Sequence, residues 1–192
     1  IKSITTQLGL FISFVSTSNI GLFFVGIIVS VLMGMALTAP ISSAAIAISI
    51  NLGGLAGGAA LVGCCVQMLG FAVMSRKDNS IGTVIGVGIG TSMLQFKNII
   101  KKPIIWLPTI IVSAILGPIS TLVFKMDTNP IGAGMGTSGF VGQIGTFSVM
   151  GYGWQTIVMV LILHFVLPIL MVYGLDILFR KKGIIQPGDL TI

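Results

Sequence analysis

Residues 3–75 contain no Asp, Glu, Lys or Arg, and no other feature limits the fold of this chain as strongly. A second stretch without these residues runs from 128 to 175. One helical crossing of a membrane needs about 20 apolar residues, so each stretch must hold more than one element. Only 7% of the residues are charged and 55% are hydrophobic, whereas soluble domains carry about 25% charged residues. The sequence therefore predicts an all-α polytopic membrane protein with residues 1–192 in a single transmembrane domain.

The apolar sequence divides into long and short segments. Four segments are long enough for a full crossing at about 1.5 Å of rise per residue: about 20–39, about 54–74, 103–124 and about 154–179. Three apolar pieces between them are too short or too rich in glycine: 40–53, 80–96 and 128–151. The short pieces are therefore expected to enter the membrane without crossing it.

The positions of the basic residues predict how these segments are oriented. Clusters at 76–77, 97–102 and 180–182 stand at the ends of apolar segments, and the positive-inside rule places all three in the cytoplasm. The piece 80–96 then has cytoplasmic charge on both sides, so it must leave the membrane by the face it entered, as a re-entrant hairpin or an interfacial helix. The same reasoning places 125–153 on the outer side.

One seven-residue phrase occurs twice, as GVGIGTS at 86–92 and GAGMGTS at 132–138. Small-xxx-small spacing, as in GGLAGGAALVG at 53–63, is typical of helix packing. Alternate glycines cost about 1 kcal/mol each inside a helix, so the repeated phrase favours a break in a helix instead. Paired breaks at corresponding places are compatible with an inverted repeat and point to a binding site in transporters. The expected hinge glycines are Gly86, Gly88, Gly90, Gly132, Gly134 and Gly136.

Each copy of the phrase brings polar side chains to its break. Backbone groups freed at membrane depth are tolerated only where protein or a water-filled cavity satisfies them. Two hairpins entering from opposite faces can meet near the midplane, where uncharged donors and acceptors suit a polyhydroxylated neutral solute; half-helix N-termini leave an anion open. The residues expected to bind the solute at this shared site are Thr91, Ser92, Gln95, Thr137, Ser138 and Gln143.

Two further polar residues in apolar segments are candidates for the same site. His164 lies near the middle of the fourth crossing, where an ionisable group is costly and is a functional candidate. A neutral imidazole that hydrogen-bonds to a neighbouring helix explains it equally well. Asn51 is an amide that could bond either sugar hydroxyls or another helix. Both residues are included in the predicted substrate site, and both readings stay open.

The chain lacks the residues that several classes of function need. The chain contains no Glu, and its four acidic residues are all Asp near charge clusters or in loops, so no carboxylate pair for acid–base chemistry is expected. The glycines at 134, 136 and 139 match a dinucleotide fingerprint, but the next acidic residue is Asp176, far beyond the required spacing. The formal charge of +6 sits at the ends of apolar segments. We therefore predict no catalytic residue, metal site or cofactor, and no nucleic-acid partner.

Three stretches of the sequence resemble a known membrane family: ALTAPISSAAIAISINLGGLAGGAALVGCCVQMLGFAVMSRKDN at 36–79, GIGTSMLQF, and NPIGAGMGTSGFVGQIGT. The chain resembles the phosphotransferase-system EIIC-type permeases of the toxin-regulator, or perfringolysin-regulator-like, branch over about residues 20–182. Family proteins are longer, so residues 1–192 would be the C-terminal part of such a protein. The resemblance implies a homodimeric, multi-pass transporter of the bacterial inner membrane. It also implies re-entrant hairpins around a sugar-sized site, and separate EIIA and EIIB phosphoryl carriers.

The main expectation for function is an EIIC-like permease for a small polar solute, a sugar first of all. Better-known EIIC permeases pair a Glu with a His at the sugar site, and this chain has no Glu. The alternative is a membrane sensor that binds a small solute and signals to a partner without transport. A third reading is a helical scaffold that binds no solute.

Overall fold

The computed structural model describes residues 18–192. Over this range the chain is helical, without strands, and the only β pairing is an isolated antiparallel bridge between Gly54 and Thr128. Four helices are long and apolar enough to cross a membrane: α1 Asn19–Thr38, α3 Gly54–Ser75, α6 Pro103–Phe124 and α9 Trp154–Lys181. They coincide with the four predicted crossings. The predicted all-α polytopic membrane fold is confirmed.

Five shorter helices lie between the crossings: α2 Ser43–Ser49, α4 Ile81–Gly90, α5 Phe96–Lys101, α7 Pro130–Ala133 and α8 Val141–Met150. Turns of 3₁₀-helix precede α5 at Ser92–Gln95 and α8 at Ser138–Phe140. Three segments are π-helical: the end of α4 at Gly86–Gly90, the end of α6 at Ile119–Phe124 and the middle of α9 at Leu161–Val166. Insertions of this kind are frequent at functional sites.

Helix α3 forms the centre of the bundle, because almost all of its residues are buried. Its glycines allow the neighbouring backbones to approach closely. A Cβ at Gly63 would lie against the carbonyl oxygen of Ser30 in α1, and a Cβ at Gly58 would lie against that of Met126. The small-residue stretch 53–63 therefore packs helices, as predicted, and the bundle tolerates no larger side chain at these two positions.

The three basic clusters lie at one end of the bundle. Arg76 donates to Asp176 at 2.8 Å, and Arg180 donates to the other oxygen of Asp176 at 2.9 Å. Lys102 pairs with Asp189, just beyond the end of α9, at 2.6 Å. The ends of α3 and α9 and the start of α6 therefore share one face, as the positive-inside rule predicts for the cytoplasmic side.

Residues 183–192, here called the C-terminal strap, run across the same face. Leu190 of the strap is fully buried. Strap carbonyl oxygens accept hydrogen bonds from three side-chain amides: Asn79 to Leu190 at 2.7 Å, Gln95 to Leu190 at 2.8 Å and Asn98 to Thr191 at 2.9 Å. Because Asn79 and Asn98 flank 80–96 on the two sides, that piece enters and leaves at one end of the bundle. It is a helical hairpin, the form expected of a re-entrant segment.

Candidate functional site

The inner hairpin, residues 81–101, enters from the end of the bundle that carries the basic clusters as α4 and returns as α5. The last turn of α4 has glycine at 86, 88 and 90 and side chains only at Val87 and Ile89, and it widens to a π-helix closed by a 2.9 Å bond from Thr91 N to Gly86 O. The helix stops because Thr91 is extended, with φ −160° and ψ 134°. Its hydroxyl then accepts from Met93 N at 3.1 Å and caps the returning segment.

The outer hairpin, residues 130–150, enters from the opposite end as α7 and returns as α8. Asn129 caps its start by accepting from Gly132 N at 2.8 Å. Gly136 has a φ of +57° and Gly139 a φ of +52°, a left-handed conformation that side chains rarely adopt. The second copy of the glycine phrase thus forms the turn at the tip of this hairpin.

The tips of the two hairpins touch. Thr137 donates its hydroxyl hydrogen to the carbonyl oxygen of Gly88 at 2.6 Å, and Ser138 donates to that of Gly90 at 2.9 Å. Both acceptors lie in the π-helical turn of α4, where the normal helical hydrogen-bond pattern is broken. The two copies of the phrase, 46 positions apart in the sequence by their first glycines at 86 and 132, therefore pair directly inside the bundle.

An open cleft of about 470 Å³ lies beside this contact. Three parts of the chain form its walls: the end of α1 with the start of α2, the inner tip and the outer tip. The lining residues are Leu37, Pro40, Ile41, Ser42, Ser43, Ala44, Gly90, Thr91, Met93, Met135 and Ser138. All are uncharged, so the cleft offers hydroxyls, backbone groups and apolar surface to whatever it binds.

Of the four predicted hydroxyl residues, two line the cleft and two are buried behind its walls. Thr91 and Ser138 line the cleft. Thr137 lies directly behind its wall, fully buried against Gly88. Ser92 is also fully buried, with its oxygen 2.8 Å from that of Thr38 in α1. The structure thus brings all four hydroxyls to one place, two at the cleft surface and two holding it.

Gln95 and Asn51 do not reach the cleft. Gln95 donates to the C-terminal strap and accepts from Asn98 at 2.8 Å, at the cytoplasmic base of the inner hairpin. Gln95 ends the 3₁₀ turn that leads from Ser92 to α5, and there the strap accepts its hydrogen bond. Asn51 is exposed in the loop between α2 and α3, with φ +53°. Its conformation suits a turn, where Asn is one of the few residues that tolerate a left-handed backbone.

Gln143 and His164 are buried in the bundle away from the cleft. Gln143 Nε2 lies 3.5 Å from the sulfur of Cys65, and its Oε1 has no partner within residues 18–192. His164 lies in the π-helical segment of α9, and neither ring nitrogen has a partner in the same range. The adjacent Phe165 contacts the ring of Phe140 at the outer tip, with centroids 6.3 Å apart.

The hinge glycines differ in what surrounds them. Gly86 and Gly90 have open space where a Cβ would stand, and at Gly88 a Cβ would lie 3.2 Å from that of Ala72. At Gly134 a Cβ would lie 2.6 Å from Ser43 O, and Gly132 is similarly enclosed by Thr128. The outer copy therefore requires glycine for space, while the inner copy leaves space free at Gly86 and Gly90 and only a tight fit at Gly88.

Sequence reasoning missed one wall of the cleft. Residues 40–44, PISSA, connect α1 to α2, and Ser43 donates to the carbonyl of Gly134 at 2.6 Å. The signal was present, since a proline followed by two serines after an apolar run indicates a helix end with free hydroxyls. Thr38 was also missed, because a single threonine at the end of a crossing carries no distinctive pattern.

Comparison with known proteins gives one match. The family model described as "Phosphotransferase system, EIIC" matches residues 1–192, the whole of the chain. No curated protein and no solved structure matches it.

Proposed function

The chain belongs to the EIIC family of the phosphotransferase system, and from that premise we propose that the cleft between its two hairpin tips binds a sugar. Membership in this family supports the broader statement that the chain is a membrane permease, since its four apolar helices also fit a multi-pass membrane protein. The sugar, its site and the residues that hold it are the proposal. Placement in the toxin-regulator branch and in the inner membrane stays a prediction.

The single observation that carries the proposal is the uncharged cleft formed where the two tips meet. Its volume of about 470 Å³ falls within the 300–1,000 Å³ usual for small-molecule sites. Ser42, Thr91 and Ser138 supply hydroxyls to its lining. A neutral polyhydroxylated molecule needs donors and acceptors without a countercharge, and this lining offers both. An ion would have no charged side chain there to pair with.

The arrangement of the hairpins supports movement of the solute across the membrane. The inner and outer hairpins enter from opposite ends and are joined at the tips by the bonds of Thr137 and Ser138. In transporters with paired broken helices, one unit rocks against the other around a fixed midplane site. Breaking the two hydrogen bonds between the tips would let one hairpin move against the other around the solute. The loss of two hydrogen bonds is a small enough step for such a motion.

Partners follow from the family and are also proposals. EIIA and EIIB carriers would meet the cytoplasmic face, and a second copy of the chain would complete a dimer. Residues 1–192 contain no Glu, so this part of the protein supplies no Glu–His pair of its own. The chain itself would then supply binding and passage, and the carriers the phosphoryl chemistry.

A paired substitution tests the site. Ser138→Ala removes a hydroxyl that lines the cleft, and we expect it to weaken sugar binding about 2- to 10-fold, the cost of one hydrogen bond. Ser148→Ala removes a hydroxyl of the same hairpin that does not line the cleft; it donates to Gly145 O at 2.7 Å and accepts from Asn129 Nδ2 at 3.0 Å. This variant should leave binding unchanged. Calorimetric titration of purified protein with a panel of hexoses, hexitols and disaccharides measures both.

Uptake of the same sugars into liposomes separates transport from sensing. Binding with uptake supports the permease, and binding without uptake, even with carriers added, supports the sensor instead. If no sugar in the panel binds, or if Ser138→Ala and Ser148→Ala weaken binding equally, the cleft is not the sugar site. Binding of a sugar phosphate but no free sugar would identify an anionic solute.

A further inference from the structure

Gln67 lies in the middle of α3, fully buried, and joins three crossings through one atom. Its Oε1 accepts from Trp106 Nε1 at 2.9 Å and from Thr109 Oγ1 at 3.1 Å, both in the first turns of α6. It also accepts from Thr38 Oγ1, at the end of α1, at 3.3 Å. Because the indole N–H of Trp106 can only donate, the amide is fixed with its oxygen toward these groups.

Thr38 extends this cluster to the inner hairpin. Its oxygen lies 2.8 Å from the oxygen of Ser92, and both side chains are fully buried. The Thr38 hydroxyl also lies 3.4 Å from the carbonyl oxygen of Gly34, so its one hydrogen has three acceptors within reach. Thr38 therefore lies between Ser92 and Gln67 and connects the inner hairpin to α3.

The end of this chain of bonds lies immediately behind the cleft. Leu37, which precedes Thr38, lines the cleft, as do Thr91 and Met93 on either side of Ser92. The cluster therefore fixes two of the three walls relative to each other, and it does so without contacting the cleft interior.

The cluster is costly, which argues that it does more than fill space. The Nε2 of Gln67 is buried without a partner in the part of the chain that the structure describes. An unpaired buried donor destabilises a fold, and an apolar side chain of the same size would avoid that cost. The glutamine at this buried position is therefore explained by its side-chain oxygen, which accepts hydrogen bonds from α1 and α6.

We propose that Gln67 and Thr38 are positioning residues, which hold Ser92 and so set the opening of the inner tip onto the cleft. This deepens the proposed function, on which its relevance to sugar binding rests. Neither residue touches the solute. Loss of either is expected to free the inner tip while the outer tip, held by its own contacts to α2 and α3, stays in place.

Two threonines on the same glutamine oxygen provide a matched pair for the test. Thr38→Val breaks the connection to Ser92, and Thr109→Val removes a hydroxyl that bonds only Gln67 and Trp106 O. Both substitutions keep the volume nearly constant. Gln67→Met removes the acceptor itself with an apolar side chain of similar length.

The reporter is Gly90→Cys in a Cys64→Ser, Cys65→Ser background, since Gly90 is exposed and has open space at its Cβ. We expect Thr38→Val and Gln67→Met to raise its rate of labelling by a water-soluble maleimide about 2- to 10-fold, and Thr109→Val to leave it near the parent rate. Thermal unfolding midpoints are measured on all variants, and labelling is compared well below the lowest of them.

Ser92→Ala combined with Thr38→Val completes the test, because two residues in one chain of bonds should not have additive effects. Equal labelling in Thr38→Val and Thr109→Val, or additive effects of Thr38→Val and Ser92→Ala, would overturn the proposal and make the cluster packing only. This measurement needs no solute. A failure of sugar binding alone, with the labelling pattern as expected, would count against the proposed function and not against the positioning role.

Discussion

The two copies of the glycine phrase share five of seven letters and yet fold differently. In the inner copy the glycines 86, 88 and 90 continue a helix that widens into a π-turn and then stops at an extended Thr91. In the outer copy the helix ends before Gly134, and Gly136 takes a left-handed conformation at the tip. The phrase thus specifies a break in the helix, while the surrounding chain decides its geometry.

The hydroxyls of the two copies also differ in what they bind. Thr91 accepts from Met93 N in its own hairpin, whereas Thr137, at the same place in the phrase, donates across to Gly88 O in the other. One caps a helix and the other joins two halves of the molecule. The same residue at the same place in the phrase therefore makes a contact within its own hairpin in one copy and a contact between the two hairpins in the other.

The largest expected effect tests the difference between the glycines. Gly136→Ala places a Cβ 2.9 Å from the backbone carbon of Cys64 and on a left-handed backbone, so we expect a loss of about 1 to 3 kcal/mol in unfolding free energy, or failure to accumulate. Gly86→Ala meets open space and a helical backbone, and should be neutral or stabilise by up to about 1 kcal/mol.

Denaturant unfolding in detergent, followed by tryptophan fluorescence, measures both glycine variants. Equal destabilisation by the two substitutions would mean that the copies require glycine for the same reason. The comparison would then be wrong.

The next effect tests the difference between the threonines. Thr137→Val leaves the carbonyl of Gly88 buried and unpaired, with an expected cost of about 1 to 3 kcal/mol. Thr91→Val removes one helix cap in a half-buried position, with an expected cost of about 0.5 to 2 kcal/mol. Sugar affinity should follow the reverse order, because only Thr91 lines the cleft. Stability and affinity are measured on the same preparations. The assignment is contradicted if the same variant of the two shows the larger loss in both stability and sugar affinity.

The smallest effect concerns one aspartate on each side of the membrane. Burial raises the pKa of Asp127, beside the outer hairpin, despite backbone N–H donors from Thr128 and Gly54 that lower it. Burial also acts to raise the pKa of Asp189, but hydrogen bonds from Lys102 and from Gln186 N outweigh it and leave that pKa below its usual 3.8. The two carboxylates should therefore contribute to stability with opposite dependence on pH.

The signs follow directly. The contribution of Asp189 is present above its ordinary pKa and is lost as the pH falls through its lowered value, whereas that of Asp127 is present at low pH and is lost as the pH rises through its raised value. We expect Asp189→Asn to lower the thermal midpoint at pH 7 and less so at pH 3.5. Asp127→Asn should keep or raise it at pH 7. Midpoints measured from pH 3.5 to 7 would contradict this if the two variants shifted in the same direction.

Sequence reasoning predicted the crossings well because each crossing is set by the length and composition of a single segment. It also predicted that 80–96 returns to its own face, since the flanking lysines and arginines determine this without knowledge of packing. The contact of the two tips followed from their opposite entry. These features depend on local or additive properties of the chain.

The environments that the sequence did not predict depend on contacts between distant segments. Gln95 was expected at the site because it follows the glycine phrase closely, but the strap at Leu190 satisfies it. Gln67 has no distinctive residue near it in the sequence, so no sequence pattern indicates its role. Its three donors come from α1 and α6, and only the packed bundle brings them together.

The C-terminal strap has a consequence for the order in which the protein assembles. Gln95 and its acceptor at Leu190 are 95 positions apart in the sequence, so at about 5 to 20 residues per second a ribosome needs about 5 to 19 seconds to deliver the partner. The outer hairpin has no such delay, because Ser43 and Cys64 are made before it. During synthesis the inner hairpin is therefore made before the strap that its amides bind, and the strap can cover this face of the bundle only afterwards.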